Sequence, residues 1–189
     1  MNVAGIILAS GFSHRMGRNK LHLAWRGKEI CQWVMDLAAS LPLAGIYVVT
    51  NDCAIRAWAE QKGLTAVANA HAEEGKAASI RQGVAAAGEK EGYFFFTADQ
   101  PAVSRATCLA ILQEHGRHPD SIIRPVYGTH PGMPVLMPGA LRQELLALRY
   151  EQGGKSLMTD DNTIDLVIPR PEERLDIDTA EDYEKLIRE

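Results

Sequence analysis

The run Val3-Ala-Gly-Ile-Ile-Leu-Ala9, closed by Ser10-Gly11, decides the fold. It is short and almost wholly apolar, and it stops at a turn-forming pair. That suits a strand buried on both faces of a parallel sheet covered by helices. Downstream, residues 29–41 put Ile30, Val34, Leu37, Ala38 and Leu41 on one helical stripe, and Pro42 ends it. Residues 45–50 read as a second strand, 54–62 as a helix stopped by Gly63, and 64–68 as a third strand leading into a loop over 69–75. Residues 77–87 read as a helix and the aromatic run 93–97 as a strand. Ser104 then caps a helix reaching residue 115. Strand and helix thus alternate, which predicts right-handed crossovers and a mostly parallel sheet. The second half is less regular, with strands at 122–126, 133–137 and 164–168 and helices at 140–148 and 179–187. There is no repeat, low-complexity tract or linker, so residues 1–189 read as one domain, a three-layer α/β/α sandwich whose sheet turns mixed near its end.

Composition narrows the function classes. Hydrophobic residues at 46% and charged residues at 23% describe an ordinary globular chain with enough apolar material for one core. A net charge of −4 argues against a nucleic-acid or anionic-membrane partner. Cys31, Cys53 and Cys108 stand far apart and read as buried small residues in a reducing compartment, not as a zinc site or disulfide set. The chain starts without the basic-apolar-small order of a signal peptide, and no apolar run approaches the ~20 residues that span a bilayer. A cytoplasmic protein is expected.

The loop Leu8-Ala-Ser-Gly-Phe-Ser-His-Arg-Met-Gly-Arg-Asn-Lys20 follows the first strand and so sits at the carboxyl edge, where open α/β sheets place ligands. Gly11 and Gly17 allow close backbone approach, and free N–H groups there form an anion nest. Arg15, Arg18 and Lys20 make the loop basic within an acidic protein, which points to a polyanion such as a triphosphate. It is neither a Walker A loop, since Arg18 follows Gly17 and no Ser or Thr follows Lys20, nor a dinucleotide GxGxxG. Tyr93-Phe-Phe-Phe-Thr-Ala-Asp-Gln-Pro101 brings Asp99 to the same edge. There it can hold Mg²⁺, which favours one or two carboxylates plus phosphate oxygens, or simply open a turn. In Leu175-Asp-Ile-Asp-Thr-Ala-Glu-Asp-Tyr183, Thr179, Glu181 and Asp182 suit a helix start, while Asp176 and Asp178 are not needed for it.

Taken together, the G-x-S-x-R-M-G-x-x-K loop, Ala98-Asp-Gln-Pro101 and the closing Asp-x-Asp-Thr resemble the molybdenum cofactor (molybdopterin) cytidylyltransferase-like family of nucleotidyltransferases. That resemblance implies a Rossmann-like nucleotidyltransferase fold and a Mg²⁺-dependent transfer of CMP from CTP to the phosphate of molybdopterin, releasing pyrophosphate. By resemblance Lys20, Arg15 and Asp99 are the catalytic residues. Leu8, Ala9, Ser10, Gly11, Ser13, Arg15, Lys20 and Ser79 would bind the nucleotide, and Asp99 and Asp178 would share the metal. Asp176 would be structural or would stand behind the metal ligands. Ser79 lies in Glu74-Gly-Lys-Ala-Ala-Ser-Ile-Arg-Gln-Gly83, which is also readable as a plain amphipathic helix. His130, Gly132 and Pro134, in a stretch similar to the family's acceptor pocket, and Lys155, in Gly153-Gly-Lys-Ser-Leu157, would meet the acceptor. An exposed histidine or lysine is the plain alternative for His130 and Lys155. Ser10 of Leu-Ala-Ser-Gly resembles the CTP-using pattern more than the GTP-using Leu-Ala-Gly-Gly, and Met133 replaces a polar residue. Other phosphorylated acceptors (a sugar or alcohol phosphate, or phosphocholine), GTP, and a non-catalytic cofactor carrier serving a molybdenum hydroxylase stay open.

Overall fold

The computed structural model describes residues 2–10 and 19–188. A sheet runs through the molecule in the order β10-β7-β9-β6-β1-β4-β5, with β8 paired to β7. Its parallel part is β1 (Val3–Leu8), β4 (Gly45–Val49), β5 (Thr65–Val67) and β6 (Gly92–Thr97). β9 (Val135–Pro138) then enters antiparallel to both β6 and β7 (Ile122–Tyr127), and β10 (Thr163–Ile168) returns parallel to β7. β8 is His130–Pro131. The sheet is therefore mostly parallel and turns mixed where the sequence becomes irregular, as expected.

Period-two alternation sorts the strand residues between two cores. Val3, Ile7, Phe94 and Phe96 face α1 (Ile30–Ala39), α2 (Cys53–Gln61) and α4 (Arg105–Arg117). Ala4, Ile6, Tyr93 and Phe95 face α3 (Lys76–Ala87) and α5 (Arg142–Ala147). Both faces of β1 and β6 are covered, which is why those strands read as unbroken apolar runs. Ser104 caps α4 through Thr107 N–H at 3.2 Å. Thr179 and Asp182 exchange side-chain and backbone hydrogen bonds at the start of α6 (Ala180–Arg188).

A third, smaller core was not expected. A hairpin of β2 (Ala24–Trp25) and β3 (Lys28–Glu29) packs Trp25 with Leu23, Ile30, Ile177 and Leu186. Trp25 Nε1 donates to Leu186 O at 3.1 Å, and Tyr183 Oη to Ala24 O at 2.6 Å. This core fastens the C-terminal segment to the chain just after the glycine loop. Two further expectations need correction. Cys53 is exposed at the first turn of α2, unlike buried Cys31 and Cys108. The helix expected over 140–148 opens as a 3₁₀ turn, Gly139–Leu141, because Pro138 still belongs to β9.

Candidate active site at the carboxyl edge of the sheet

The carboxyl ends of β1, β4 and β6 are laced together before any side chain is considered. Ala9 N–H donates to Val49 O at 2.9 Å, and Ala98 N–H to Leu8 O at 3.1 Å. Asp99 therefore emerges beside the exit of β1. Farther along the chain, Ile177, wholly buried in the third core, donates its N–H to Asp99 O at 3.2 Å. That bond sets Asp176 and Asp178 next to Asp99, although 77 or more positions separate them in sequence.

Lys20 completes the group from the other side. It opens a 3₁₀ turn, Lys20–His22, whose Leu21 is buried in the core. Asn19 caps the turn, its Oδ1 accepting from Leu21 N–H at 3.1 Å. The Lys20 ammonium lies 2.6 Å from Asp99 Oδ2 and 2.7 Å from Asp178 Oδ1. Lys20 and Asp99 side chains are 16% and 19% exposed, and Asp178 is 55% exposed, so the cluster is solvated only at its outer rim. Burial by itself would lower the Lys20 pKa, but the charges and hydrogen bonds of Asp99 and Asp178 outweigh it and raise it.

Asp176 is the third carboxylate. Much of its surface reaches solvent. Even so, the protein packed around it, and next the Asp99 charge, push its carboxyl up to about 6 against an opposing bond from Gln100. Three carboxylates thus crowd one ammonium among the described residues. Among the described residues, Asp99 Oδ1 is buried without a hydrogen-bond partner. A buried, unsatisfied carboxylate oxygen and surplus negative charge suit a hard divalent cation bound by oxygen. A cleft of about 430 Å³ opens beside Asp176 and Asp178, with Arg174 and Lys185 among its walls. Another ligand-like group, His71, Glu73 and Glu74, is exposed on all three side chains, and Glu74 is paired with Arg81.

On the β4 side, Ser10 Oγ donates to Val49 O at 2.8 Å, so its hydroxyl is turned onto the sheet. Ser79, in the first turns of α3, is buried and accepts from Asn69 Nδ2 at 2.9 Å. Asn69 and Asn51 exchange two further bonds, Asn51 Nδ2 to Asn69 O at 2.8 Å and Asn69 N–H to Asn51 Oδ1 at 2.9 Å. This amide bridge has no short motif in the chain and was not anticipated.

The expected residues meet to different degrees. Lys20, Asp99 and Asp178 come together, and Leu8, Ala9 and Ser10 line the same edge. Gly11, Ser13 and Arg15 lie outside the described residues. Pro134 precedes β9, whose Val135 pairs with Phe95, and so stands near the end of β6. Gly132 donates to Pro125 O at 3.0 Å, and a Cβ there would meet the Tyr127 ring at 2.8 Å. Close packing is thus one reason for glycine at that position. His130 and Lys155 are exposed, and among the described residues no hydrogen bond or ion pair joins them to the Lys20 group.

Comparison with known proteins identifies the family and the fold. A family model described as MobA-like NTP transferase domain matches residues 5–164. Solved structures share the fold. The Rv0371c protein of Mycobacterium tuberculosis H37Rv is 24% identical with a TM-score of 0.83 over 100% of both chains. Its complex with manganese gives 22% and 0.79, covering 100% of this chain and 99% of that one. A nucleotidyl transferase from Methanothermobacter is 21% identical with a TM-score of 0.82, over 99% and 96% of the chains. Molybdopterin-guanine dinucleotide biosynthesis protein A from Archaeoglobus fulgidus is 14% identical with a TM-score of 0.71, over 98% and 97%. No curated protein sequence matches the chain significantly.

Proposed function

The chain belongs to the family of MobA-like NTP transferase domains, and on that premise we propose that it is a cytoplasmic enzyme transferring CMP from CTP to the phosphate of molybdopterin. The products would be molybdopterin cytosine dinucleotide and pyrophosphate, destined for a molybdenum hydroxylase. Residues 1–189 would act as one nucleotidyltransferase domain. The observation that carries the reading is the meeting of Lys20, Asp99 and Asp178 at the edge where the basic glycine loop leaves the sheet.

A phosphate monoester is already anionic at neutral pH, so its oxygen needs no general base to attack the α-phosphorus. The task left to the protein is positioning and charge neutralisation. Asp99 and Asp178 would hold Mg²⁺, a fit supported by the unsatisfied Asp99 Oδ1 and the surplus of carboxylates. When bound, such an ion neutralises phosphate charge and orients the reacting oxygens. Lys20 would then turn from the carboxylates toward the phosphates and stabilise charge in the transition state. Arg15 and the backbone of Gly11 and Ser13 would hold the departing pyrophosphate. Leu8, Ala9, Ser10 and Ser79 would line the nucleotide. His130, Gly132, Pro134 and Lys155 would lie toward the acceptor. The Ser10 side chain, absent where glycine stands, supports the pyrimidine.

GTP is the second reading of the base, favoured by the fold likeness to the Archaeoglobus guanine dinucleotide protein. A sugar or alcohol phosphate is the second reading of the acceptor, since Met133 stands where a polar residue is usual. A carrier without chemistry has no need of three converging acids. Pyrophosphate release with Mg²⁺, an acceptor panel and each of CTP, GTP and ATP tests these readings. Selective turnover of CTP with molybdopterin supports the proposal, and selective turnover of another pair replaces it.

A further inference from the structure

His22 has no part in the phosphate chemistry, yet it stands between two carboxylates. Its Nδ1 lies 2.7 Å from Glu29 Oε2 and its Nε2 2.8 Å from Asp52 Oδ2. Ionised carboxylates only accept hydrogen bonds, and a neutral imidazole offers one donor and one lone pair. In the neutral form one of these contacts would set lone pair against lone pair at less than 3 Å. The imidazolium donates to both. The contacts are also placed to matter. Glu29 immediately precedes α1, where its N–H donates to Gln32 Oε1 at 3.1 Å. Asp52 caps α2, accepting from Ala54 and Ile55 N–H at 2.9 and 3.1 Å. Asn19 Nδ2 donates to that same Asp52 Oδ2 at 3.0 Å. The short turn bearing Lys20 is therefore tied at both ends to the first turns of two helices.

We propose that His22 is a positioning residue: as an imidazolium bridging Glu29 and Asp52, it fixes the turn that carries Lys20 and so holds the Lys20 ammonium in register with the carboxyl edge. Its consequence for catalysis rests on the nucleotidyl-transfer reading, whereas its consequence for Lys20 does not. A long lysine side chain on a three-residue turn has much rotational freedom, and a fixed base removes part of it. The charged groups facing His22 among the described residues are Glu29 and Asp52, and the Cys31 thiol lies beside the first of these, its Sγ 4.0 Å from Glu29 Oε2. Partial burial opposes the charge on His22, but the bonds to Asp52 and Glu29 outweigh it and raise its pKa. The bridge is accordingly complete below the ordinary histidine value of ~6.5 and is lost as pH climbs through the raised one.

The test follows both side chains by nitrogen NMR in the whole protein from pH 5 to 9. The His22 ring should keep both nitrogens protonated at pH 7, and the Lys20 Nζ resonance should show a step that tracks the His22 titration, apart from the step due to Asp176, whose carboxyl is raised to about 6. Asp52→Asn keeps a helix cap while removing the charge. It should lower the His22 titration, Glu29 alone then holding the ring, and the Lys20 shift should move with it. With Mg²⁺, nucleotide and acceptor, the same variant and His22→Gln should lower kcat roughly tenfold with little change in nucleotide KM. A His22 ring that is neutral at pH 7, or a Lys20 resonance indifferent to its titration, would overturn the proposal. If kcat holds in both variants while Lys20 moves, the catalytic part is overturned. If the wild type turns over no nucleotide at all, the transfer reading fails and the two resonances still decide the role of His22.

Discussion

In the proposed reaction most of the chemistry converges on Lys20, whose ammonium lies within 2.7 Å of one carboxylate from the middle of the chain and one from near its C-terminal end. Lys20→Ala should lower turnover by ~10²–10³, the usual cost of one electrostatic contact in a transition state. Near-full turnover at saturating substrates would remove that role. Asp178→Asn should weaken Mn²⁺ binding, read by electron paramagnetic resonance, by at least the ~10-fold that even outer-shell partners cost. Asp176 adds a pH-dependent term of its own to stability. Its carboxyl is raised to about 6 in the folded protein, so between ~4 and 6 the folded state binds more protons than the unfolded one. That term makes the metal-free protein less stable as pH rises. Asp176→Asn should then raise Tm at pH 7 by about 2 °C and lose its advantage near pH 4. An equal gain at both pH values would sink the assignment. Lys20, Asp99 and Asp178, which the fold brings together, were singled out in the sequence by the family resemblance and, for Asp99, by its place at a strand end. The state of Asp176 and the bridge at His22 were not, because each depends on partners that meet only when the sheet forms.

At the scale of elements, the apolar runs and the helical stripes predicted β1, α1, α3, β6 and α4 to within a residue or two. The β2–β3 hairpin escaped, since two-residue strands show no period, and its reason for existing is the distant Ile177–Leu186 core. Antiparallel β9 was foreseen only as a mixed edge, because neighbour order is invisible in a single strand's pattern. Gly83 shows how close the layers lie. Its α3 position would place a Cβ 2.5 Å from Ile6 Cγ2 and 3.2 Å from Val49 Cγ2. Alanine gains ~1 kcal/mol of helix propensity, but overpacking against a fully buried β-branched side chain costs about 1–3 kcal/mol. Gly83→Ala should therefore destabilise the protein by about 1 kcal/mol in urea melts. A stabilised variant would show that α3 can slide off β1 freely.

For the whole molecule, one sheet edge gathers the Lys20 turn, the Asp99 strand end and the Asp176–Asp178 segment. The family match stops at residue 164, so the C-terminal carboxylates belong to the site by geometry and not by that match. Among the described residues no helix is long and apolar enough to cross a membrane. The most direct measurement is pyrophosphate release by the wild type and by Asp99→Asn and Asp178→Asn, with Mg²⁺, molybdopterin and CTP, alongside the acceptor and nucleotide panels. The account predicts metal-dependent release by the wild type that falls at least about 10²-fold in each variant. Full release by either variant, or release indifferent to divalent metal, would contradict it.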